Sequence, residues 1–209
     1  MRKLAHDNRL EGKDIDELDE LEDEEDEEFL ETYRQRRMQE LSALTKKSIH
    51  GSVYPITKAE YAREITEASN SGPVFLNLTA SLGTNVESRV LSDLWRQAAK
   101  EYGEIKFCQM RADMAIENYP EKNCPTILIY KKGDIAKQLV TLVTVGGVRM
   151  NMQHIDSLLV EVGAVPASDM RVVKRRRELE DAEEERSMGK NIRGSAKQTQ
   201  NDDDDDDWD

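Results

Sequence analysis

Residues 123–127, Asn-Cys-Pro-Thr-Ile, place a proline directly before a run of apolar residues. The run continues to Tyr130, and residues 132–134, Lys-Gly-Asp, separate it from a second strand-like stretch at 135–143. A short connection that contains glycine between two such stretches is typical of an antiparallel hairpin. The sequence therefore predicts that Pro125 leads into a hairpin of two strands.

The region before this hairpin has the pattern of a strand, a helix and a second strand. Residues 74–79 are apolar and follow a Gly-Pro pair, as expected of a central strand, and residues 105–110 have similar character. Between them Gly103 stands where a C-terminal glycine cap is expected, after apolar residues that recur at helical spacing. These apolar residues are Val86, Val90, Leu91, Leu94, Trp95, Ala98 and Tyr102. Two parallel strands with a right-handed helical connection are therefore predicted.

Further helices are predicted on either side of this unit. Thr57 is a candidate N-cap for a helix that carries Tyr61, Ile65 and Ala68 on one face. A short helix is expected at about 113–118. A last helix is expected at about 152–162, with five apolar residues facing inward, namely Met152, Ile155, Leu158, Leu159 and Val162.

The order of elements across residues 51–165 is that of a thioredoxin-like fold, an α/β fold with a mixed central sheet. A parallel strand–helix–strand unit is followed by an antiparallel hairpin and then by a C-terminal helix. Residues 123–127 resemble the proline loop of that fold, in which the proline is cis. We therefore predict a cis Cys124–Pro125 bond and a structural loop formed by Cys124, Pro125 and Thr126. The alternative is a trans proline that starts an edge strand.

Charge divides the chain into three segments. The protein has 43 acidic and 30 basic residues, for a net charge of −13. Residues 51–166 are nearly neutral, whereas residues 1–50 carry 16 acids against 9 bases and residues 167–209 carry 14 against 9. The predicted domains are therefore an acidic N-terminal arm with a helix at about 27–47, a thioredoxin-like domain, and a charged helix at about 171–187 with a disordered acidic tail.

Composition also limits the partners and the compartment. Acidic arms repel nucleic acid and favour basic partners, so we expect no nucleic-acid binding. Two cysteines cannot form a disulfide framework, and no apolar run suits secretion or membrane insertion. We expect a cytoplasmic protein without membrane contact that is monomeric when free. The basic run at 174–177, Lys-Arg-Arg-Arg, leaves nuclear import open.

The residues at the start of the central helix argue against catalysis. Thioredoxin chemistry needs a thiolate pair there, but residues 83–87 are Gly-Thr-Asn-Val-Glu. Cys124 has no resolving cysteine nearby in sequence and is better explained as a small buried residue. His6, His50 and His154 lack metal-ligand spacing. We expect no enzyme activity, no metal and no cofactor.

Three stretches resemble the phosducin-like family, and most closely its class II members. They are Glu-Leu-Asp-Glu-Leu-Glu-Asp-Glu-Glu-Asp-Glu-Glu-Phe-Leu-Glu-Thr-Tyr-Arg-Gln-Arg-Arg-Met at 17–38, Ala-Ile-Glu-Asn-Tyr-Pro-Glu-Lys-Asn-Cys-Pro-Thr-Ile at 115–127 and Val-Gly-Ala-Val at 162–165. The resemblance implies an acidic helical arm joined to a thioredoxin domain without redox cysteines. It also implies binding to the eukaryotic cytosolic chaperonin and a part in folding its clients, notably actin, tubulin and the β subunits of G proteins.

The resemblance further implies where partners bind. The matching parts are the arm, the domain surface near Pro125 and the acidic tail. On the arm, the expected partner-binding residues are Phe29, Tyr33, Arg34, Arg36 and Arg37. Family members usually carry a further N-terminal segment with a Trp-Asn-Asp-Ile-Leu-like motif. This sequence starts downstream of it, so contacts by that segment are expected to be absent unless the chain is a fragment.

The functional hypothesis is therefore a non-catalytic co-chaperone that binds the chaperonin and modulates folding of its clients. Two alternatives remain open. One is a thioredoxin-like redox protein that uses Cys124. The other is an acidic chaperone for basic clients such as histones, for which Asp202–Asp207 is suggestive.

Overall fold

A mixed sheet forms the centre of the protein. The computed structural model describes residues 32, 34–36, 38, 39, 42, 48–83 and 85–195, with side chains described as far as residue 182. In that part of the chain, five strands pair in the order β1-β3-β2-β4-β5. Their bounds are β1 Tyr54–Pro55, β2 Val74–Thr79, β3 Lys106–Arg111, β4 Thr126–Lys131 and β5 Asp134–Val140. The first three strands are parallel, whereas β4 is antiparallel to β2 and β5 is antiparallel to β4.

Helices lie between and after the strands. The α-helices from residue 48 onward are α1 Val86–Glu101, α2 Ala112–Ala115, α3 Met152–Glu161 and α4 Met170–Ser195. A π-helix at Ala62–Glu67 runs directly into a 3₁₀ helix at Ala68–Asn70. Shorter 3₁₀ turns occur at Glu121–Asn123, Val143–Val145 and Gly147–Arg149. This order of elements confirms the predicted thioredoxin-like fold.

The strand β2 is the central strand of the sheet, and both of its faces are covered. All six of its residues are buried. Val74, Leu76 and Leu78 alternate toward a core that also contains Ile65 of the π-helix. The other members of this core are Ile56, Cys108, Met110, Ala112, Cys124, Leu128 and Tyr130. The apolar run predicted as a central strand is therefore buried from two sides.

Aromatic side chains fill the opposite face of the sheet, under α1. The rings of Phe75 and Phe107 lie 5.4 Å apart, and Trp95 of α1 meets Phe107 edge-on at 5.2 Å. The indole of Trp95 donates a hydrogen bond of 2.9 Å to the carbonyl oxygen of Cys108. A second link runs from the hydroxyl of Tyr102 to Asp156 of α3, at 2.6 Å. The contacts of Trp95 fix α1 on the sheet, and the bond of Tyr102 joins its C-terminal end to α3.

The predicted N-cap at Thr57 is wrong, although a helix follows it. The backbone N–H and hydroxyl of Thr57 both donate to the carboxylate of Glu60, which closes a turn rather than a helix. The helix starts after Tyr61, and it is a π-helix. Its Ile65 is fully buried.

Gly103 follows α1 as predicted but does not act as a left-handed cap. Tyr102 is the C-cap, and the φ angle of Gly103 lies outside the positive range. A Cβ built on Gly103 would clash with the hydroxyl of Ser48 and lie 3.1 Å from its Cβ. The N–H of His50 also donates to the carbonyl oxygen of Gly103, at 2.7 Å. The glycine is needed here because another segment of the chain passes too closely for a side chain.

The hairpin after Pro125 has the predicted glycine turn. Lys132 and Gly133 have φ angles of 56° and 87°, which is typical of a type I′ turn. β5 ends at Val140, three residues earlier than predicted, because Thr141 takes a left-handed conformation with φ 62°. The next residues then form 3₁₀ turns rather than strand.

The C-terminal charged helix is longer than predicted. α4 runs from Met170 to Ser195, whereas the sequence predicted about 171–187. It belongs to a different compact unit from residues Lys13–Asp169. The predicted domain boundaries at residues 50 and 166 stay predictions. Among the described residues, no helix is long and apolar enough to span a membrane.

Candidate partner-binding surface

The proline loop lies beside the carboxyl end of β2. Thr126 pairs with Leu78 in the β2–β4 register, so Pro125 is level with the end of β2. The Cys124–Pro125 bond is cis, as predicted. The carbonyl oxygen of Pro125 accepts a hydrogen bond of 2.9 Å from the N–H of Thr141. The loop, the end of β2 and the segment after β5 therefore meet at one edge of the sheet.

Asn85 joins this loop to the start of α1. Its side-chain oxygen caps the helix by accepting a hydrogen bond of 2.8 Å from the N–H of Ser88. Its side-chain nitrogen donates to the carbonyl oxygen of Cys124 at 3.0 Å. The N–H of Cys124 is occupied as well, because it donates a hydrogen bond of 3.0 Å to the backbone carbonyl oxygen of Glu121. Both backbone groups of Cys124 are thus used within the protein and are not offered to a partner.

Glu87 has a structural partner in the same region. Its carboxylate accepts a hydrogen bond of 3.2 Å from the N–H of Leu142, which follows β5. A carboxylate in the first turn of a helix also interacts favourably with the helix dipole. Its negative charge would destabilise a nearby thiolate. Its hydrogen bond stabilises the contact between α1 and the segment after β5.

Thr126 completes the loop through buried hydrogen bonds. Its side chain is buried and donates to the carbonyl oxygen of Asn123 at 2.7 Å. The hydroxyl of Tyr119 lies 2.6 Å from the hydroxyl of Thr126. These bonds hold the residues on both sides of Pro125.

Neither cysteine has the environment of a nucleophile. Cys124 is only 3% exposed, and its pKa is raised from the ordinary 9.0 to about 11, chiefly by burial and then by Glu121 and Asp113. Burial is also the main cause that raises the pKa of Cys108 to about 12. Reactive cysteines have lowered pKa values, since the thiolate is the nucleophile. Both thiols are therefore held in the unreactive protonated form at neutral pH.

Exposed apolar side chains lie around the start of α1, which Asn85 joins to the proline loop. We call Leu82, Val86, Val143 and Val148 the proline-loop face. Their side chains are 64%, 49%, 75% and 56% exposed. The Glu87–Leu142 hydrogen bond brings the segment carrying Val143 next to the first turn of α1, which begins at Val86. Several exposed apolar side chains around one loop suggest a protein-binding surface.

The family resemblance pointed to the domain surface near Pro125, but the sequence did not identify these four apolar residues. Val143 and Val148 belong to a stretch that was expected to be strand or connection, without the periodicity of a buried element. The available signal was a set of valines and glycines at 143–148 that no regular element requires. Burial had to be known before these valines could be recognised as exposed.

In the described part of the arm, two of the predicted partner-binding residues lie on different sides of the helix. Arg34 and Arg36 are both helical, but Arg34 is partly buried and Arg36 is exposed. Residues two positions apart on a helix point in nearly opposite directions. The structure therefore does not bring these two side chains onto one face. Phe29, Tyr33 and Arg37 lie outside the described residues, and the binding role of all five stays a prediction.

The histidines in the described region have structural partners. Nδ1 of His50 lies 3.1 Å from the hydroxyl of Tyr54, and His154 forms a capping box with Asn151 at the start of α3. No group of three or more histidine, cysteine or acidic side chains that could hold a metal occurs in this part of the chain. His6 lies outside it.

Comparison with known proteins connects this geometry to a family. A family model described as "Phosducin" matches residues 6–188. The chain belongs to the phosducin family. It is 42% identical over 208 residues to phosducin-like protein C2A9.09 of Schizosaccharomyces pombe, covering 100% of this chain and 84% of that one. It is 40% identical over 195 residues to phosducin-like protein 2 of Saccharomyces cerevisiae, covering 86% of this chain and 68% of that one.

Other matches are more distant. This phosducin-family chain is 36% identical over 184 residues to phosducin-like protein 2 of Drosophila melanogaster, with 87% and 76% of the two chains covered. Among solved structures, spinach chloroplast thioredoxin f matches with a TM-score of 0.41 and 18% identity, over 56% of this chain and 89% of that one.

Proposed function

We propose that this phosducin-family protein is a non-catalytic co-chaperone of the cytoplasm. It binds the eukaryotic cytosolic chaperonin and modulates folding of its clients, such as actin, tubulin or related proteins. The observation that carries the proposal is the contact between the proline loop and the start of α1, which differs from the reactive site of a thioredoxin. A cis-proline loop and helix start remain, but the Asn85–Cys124 hydrogen bond joins them where a reactive thiol pair would lie. The surface around them is apolar and suits binding.

The mechanism combines charged arms with a rigid domain. Acidic arms locate basic surface on the chaperonin, and their charge makes the encounter fast and sensitive to salt. Arms that become ordered on binding lose conformational entropy, so the complex dissociates readily. The thioredoxin-like domain then presents the proline-loop face to the chaperonin or to the client. Reversible binding suits a helper that must leave before folding is complete.

The test of this proposal measures binding of the full chain to purified chaperonin. We expect Val143→Asp to weaken binding, because it places a charge at the most exposed position of the proline-loop face. Ile135→Asp is the matched control, since Ile135 is 49% exposed on β5, outside this face. Removal of residues 1–50 and 167–209 together is expected to abolish salt-sensitive binding. Unchanged binding after that double deletion would show that the mechanism is wrong.

Two further measurements separate this function from its rivals. Capture from cytosol, followed by identification of the dominant partner, distinguishes a chaperonin helper from an acidic chaperone for basic clients. A redox function would require Cys124, whose pKa is raised to about 11. Insulin reduction by the protein that disappears in Cys124→Ser would support the redox alternative.

A further inference from the structure

A groove with apolar walls lies at the carboxyl edge of the three parallel strands. It encloses about 480 Å³, and its lining includes the last residues of β1, β2 and β3, which are Pro55, Thr79 and Arg111. A second depression of about 340 Å³ continues it along α1 and shares Thr79, Arg96 and Gln109 with it. The carboxyl edge of parallel strands is where open α/β sheets commonly bind ligands. We call the larger space the carboxyl-edge groove.

The lining of this groove combines apolar walls with positive charge. Val53, Pro55, Met110 and Met114 provide apolar surface, and the side chain of Met114 is 59% exposed. Three cations line the groove, Lys58, Arg96 and Arg111, and no carboxylate is among its lining residues. In a protein with 43 acidic and 30 basic residues, this concentration of positive charge runs against the overall composition. The groove therefore suits a segment that is both acidic and apolar.

The three cations can all accept an incoming carboxylate. Lys58 meets Glu117 at 3.5 Å, and both side chains are more than half exposed. Arg111 meets Asp113 at 2.5 Å, with side chains 56% and 40% exposed. Arg96 pairs with Asp93 at the surface. The exposed single contacts of Lys58 and Arg96 contribute little to stability, so incoming carboxylates can replace them at little cost. Arg111 holds Asp113 through two hydrogen bonds, so an incoming carboxylate would use the remaining donors of its guanidinium.

The chain itself contains a segment with the required chemistry. Residues 14–28 carry twelve acidic residues in fifteen, and their other three residues are Ile15, Leu18 and Leu21. We propose that residues 14–28 dock in the carboxyl-edge groove, with apolar side chains toward its walls and carboxylates toward Lys58, Arg96 and Arg111. The free protein thus covers part of its own acidic arm, and a more basic partner surface releases it.

The length of the connecting chain permits this contact. Ser48, which lies against Gly103, is at the amino end of β3, whereas the groove is at its carboxyl end. A strand of this length spans roughly 20 Å at 3.3 Å per residue. The approximately 20 residues from Glu28 to Ser48 span about 30 Å even if wholly helical, at 1.5 Å per residue. Residues 14–28 can therefore return along the sheet to the groove.

Paramagnetic labelling of the full chain tests the proposal. Cys108 and Cys124 are buried, so a nitroxide reagent reacts selectively with a cysteine introduced at Asp19→Cys. The readout is line broadening of backbone amide signals in the NMR spectrum. At low salt we expect selective broadening of Lys58, Met110 and Met114. The broadening should decrease strongly between about 0.1 M and about 1 M salt, since the Debye length falls from about 10 Å to about 3 Å.

Charge reversal in the groove supplies the decisive comparison. The variant with Arg96→Glu and Arg111→Glu should lose the broadening. Lys132→Glu in the β4–β5 turn, a single reversal outside the groove lining, should retain it. Broadening that survives the double reversal, or no broadening of groove residues at low salt, overturns the proposal. So does a result in which inorganic phosphate shifts the groove signals while the labelled arm leaves them unaffected, because the groove is then a small-anion site.

Discussion

Asn85 makes two hydrogen bonds that can be separated by substitution. Asn85→Asp retains the acceptor that caps α1 but loses the donor to the carbonyl oxygen of Cys124. We expect Asn85→Asp to lower the free energy of unfolding by about 1 kcal/mol, the usual contribution of one hydrogen bond. Asn85→Ala should cost more, about 2 kcal/mol, because the cap is lost as well. Urea denaturation measures both values.

The control for Asn85 is the other asparagine cap. Asn151 caps α3 without a bond to a distant loop, so Asn151→Ala should cost only about 1 kcal/mol. Equal losses for Asn85→Ala and Asn151→Ala would mean that the bond to Cys124 adds nothing to stability.

Asn77 is the unusual residue of the central strand. It is fully buried in β2, and neither its side-chain oxygen nor its nitrogen has a hydrogen-bond partner among the described residues. Replacing an unsatisfied buried amide with an apolar side chain of similar shape can be neutral or stabilising. We therefore expect Asn77→Leu to raise the free energy of unfolding by about 1 kcal/mol, measured by urea denaturation.

A hydrogen-bonded residue at similar depth provides the comparison for Asn77. Thr126 is equally buried but bonds to Asn123 and Tyr119. Thr126→Val should lower the free energy of unfolding by about 1–2 kcal/mol. A loss of stability in Asn77→Leu comparable to that in Thr126→Val would contradict our account of Asn77.

The raised pKa of Cys124 predicts a pH dependence. The thiol ionises near 9.0 when unperturbed and at about 11 in the folded protein, so the unfolded chain loses its proton first as pH rises. The resulting contribution to stability is complete below pH 9 and is lost between about pH 9 and about pH 11. We expect Cys124→Ala to show a smaller fall in stability over this interval than the unmodified protein. Thermal denaturation across the interval measures the difference.

At the scale of elements, the β4–β5 turn offers a further test. Gly133 has a φ angle of 87°, which side chains other than glycine rarely adopt. Gly133→Ala should lower the free energy of unfolding by about 1 kcal/mol, since the left-handed conformation costs roughly 1–2 kcal/mol. Gly72→Ala is the control, because Gly72 lacks a positive φ and faces open space. Thermal denaturation of both variants checks the prediction, and similar losses would contradict it.

The elements with strong periodicity were predictable from the sequence. β2 and α1 begin at the predicted residues because apolar spacing and local turn residues agree there. β1 was missed because a strand of two residues that includes Pro55 has no alternation to detect. The contact that Gly103 makes with Ser48 could not be predicted either, because it joins segments far apart in sequence.

The candidate site was predictable only in part. The proline loop could be located because Pro125 precedes a strand in a recognisable order of elements. The hydrogen bond from Asn85 to Cys124 joins residues 39 positions apart, and the local sequence does not indicate it. Exposure of Val143 likewise depends on how the segment after β5 packs. Spatial relations of this kind follow from the fold and not from residue patterns.

At the scale of the whole molecule, charge separates the arm from the domain. Residues 1–50 and 167–209 carry most of the net charge of −13, while the domain is nearly neutral. Neutralising the acids of residues 14–28 with Asn and Gln should therefore weaken chaperonin binding at low salt and flatten its dependence on salt. Binding measured over a salt series gives this slope. An unchanged slope would exclude residues 14–28 from the encounter.

The tether of Ser48 and His50 at Gly103 has a consequence for the size of partners. The N-terminal arm leaves the domain at the amino edge of the parallel strands, while the proline-loop face lies at the carboxyl edge, roughly 20 Å away along β3. A partner must therefore span roughly 20 Å to contact the root of the arm and the proline-loop face at once.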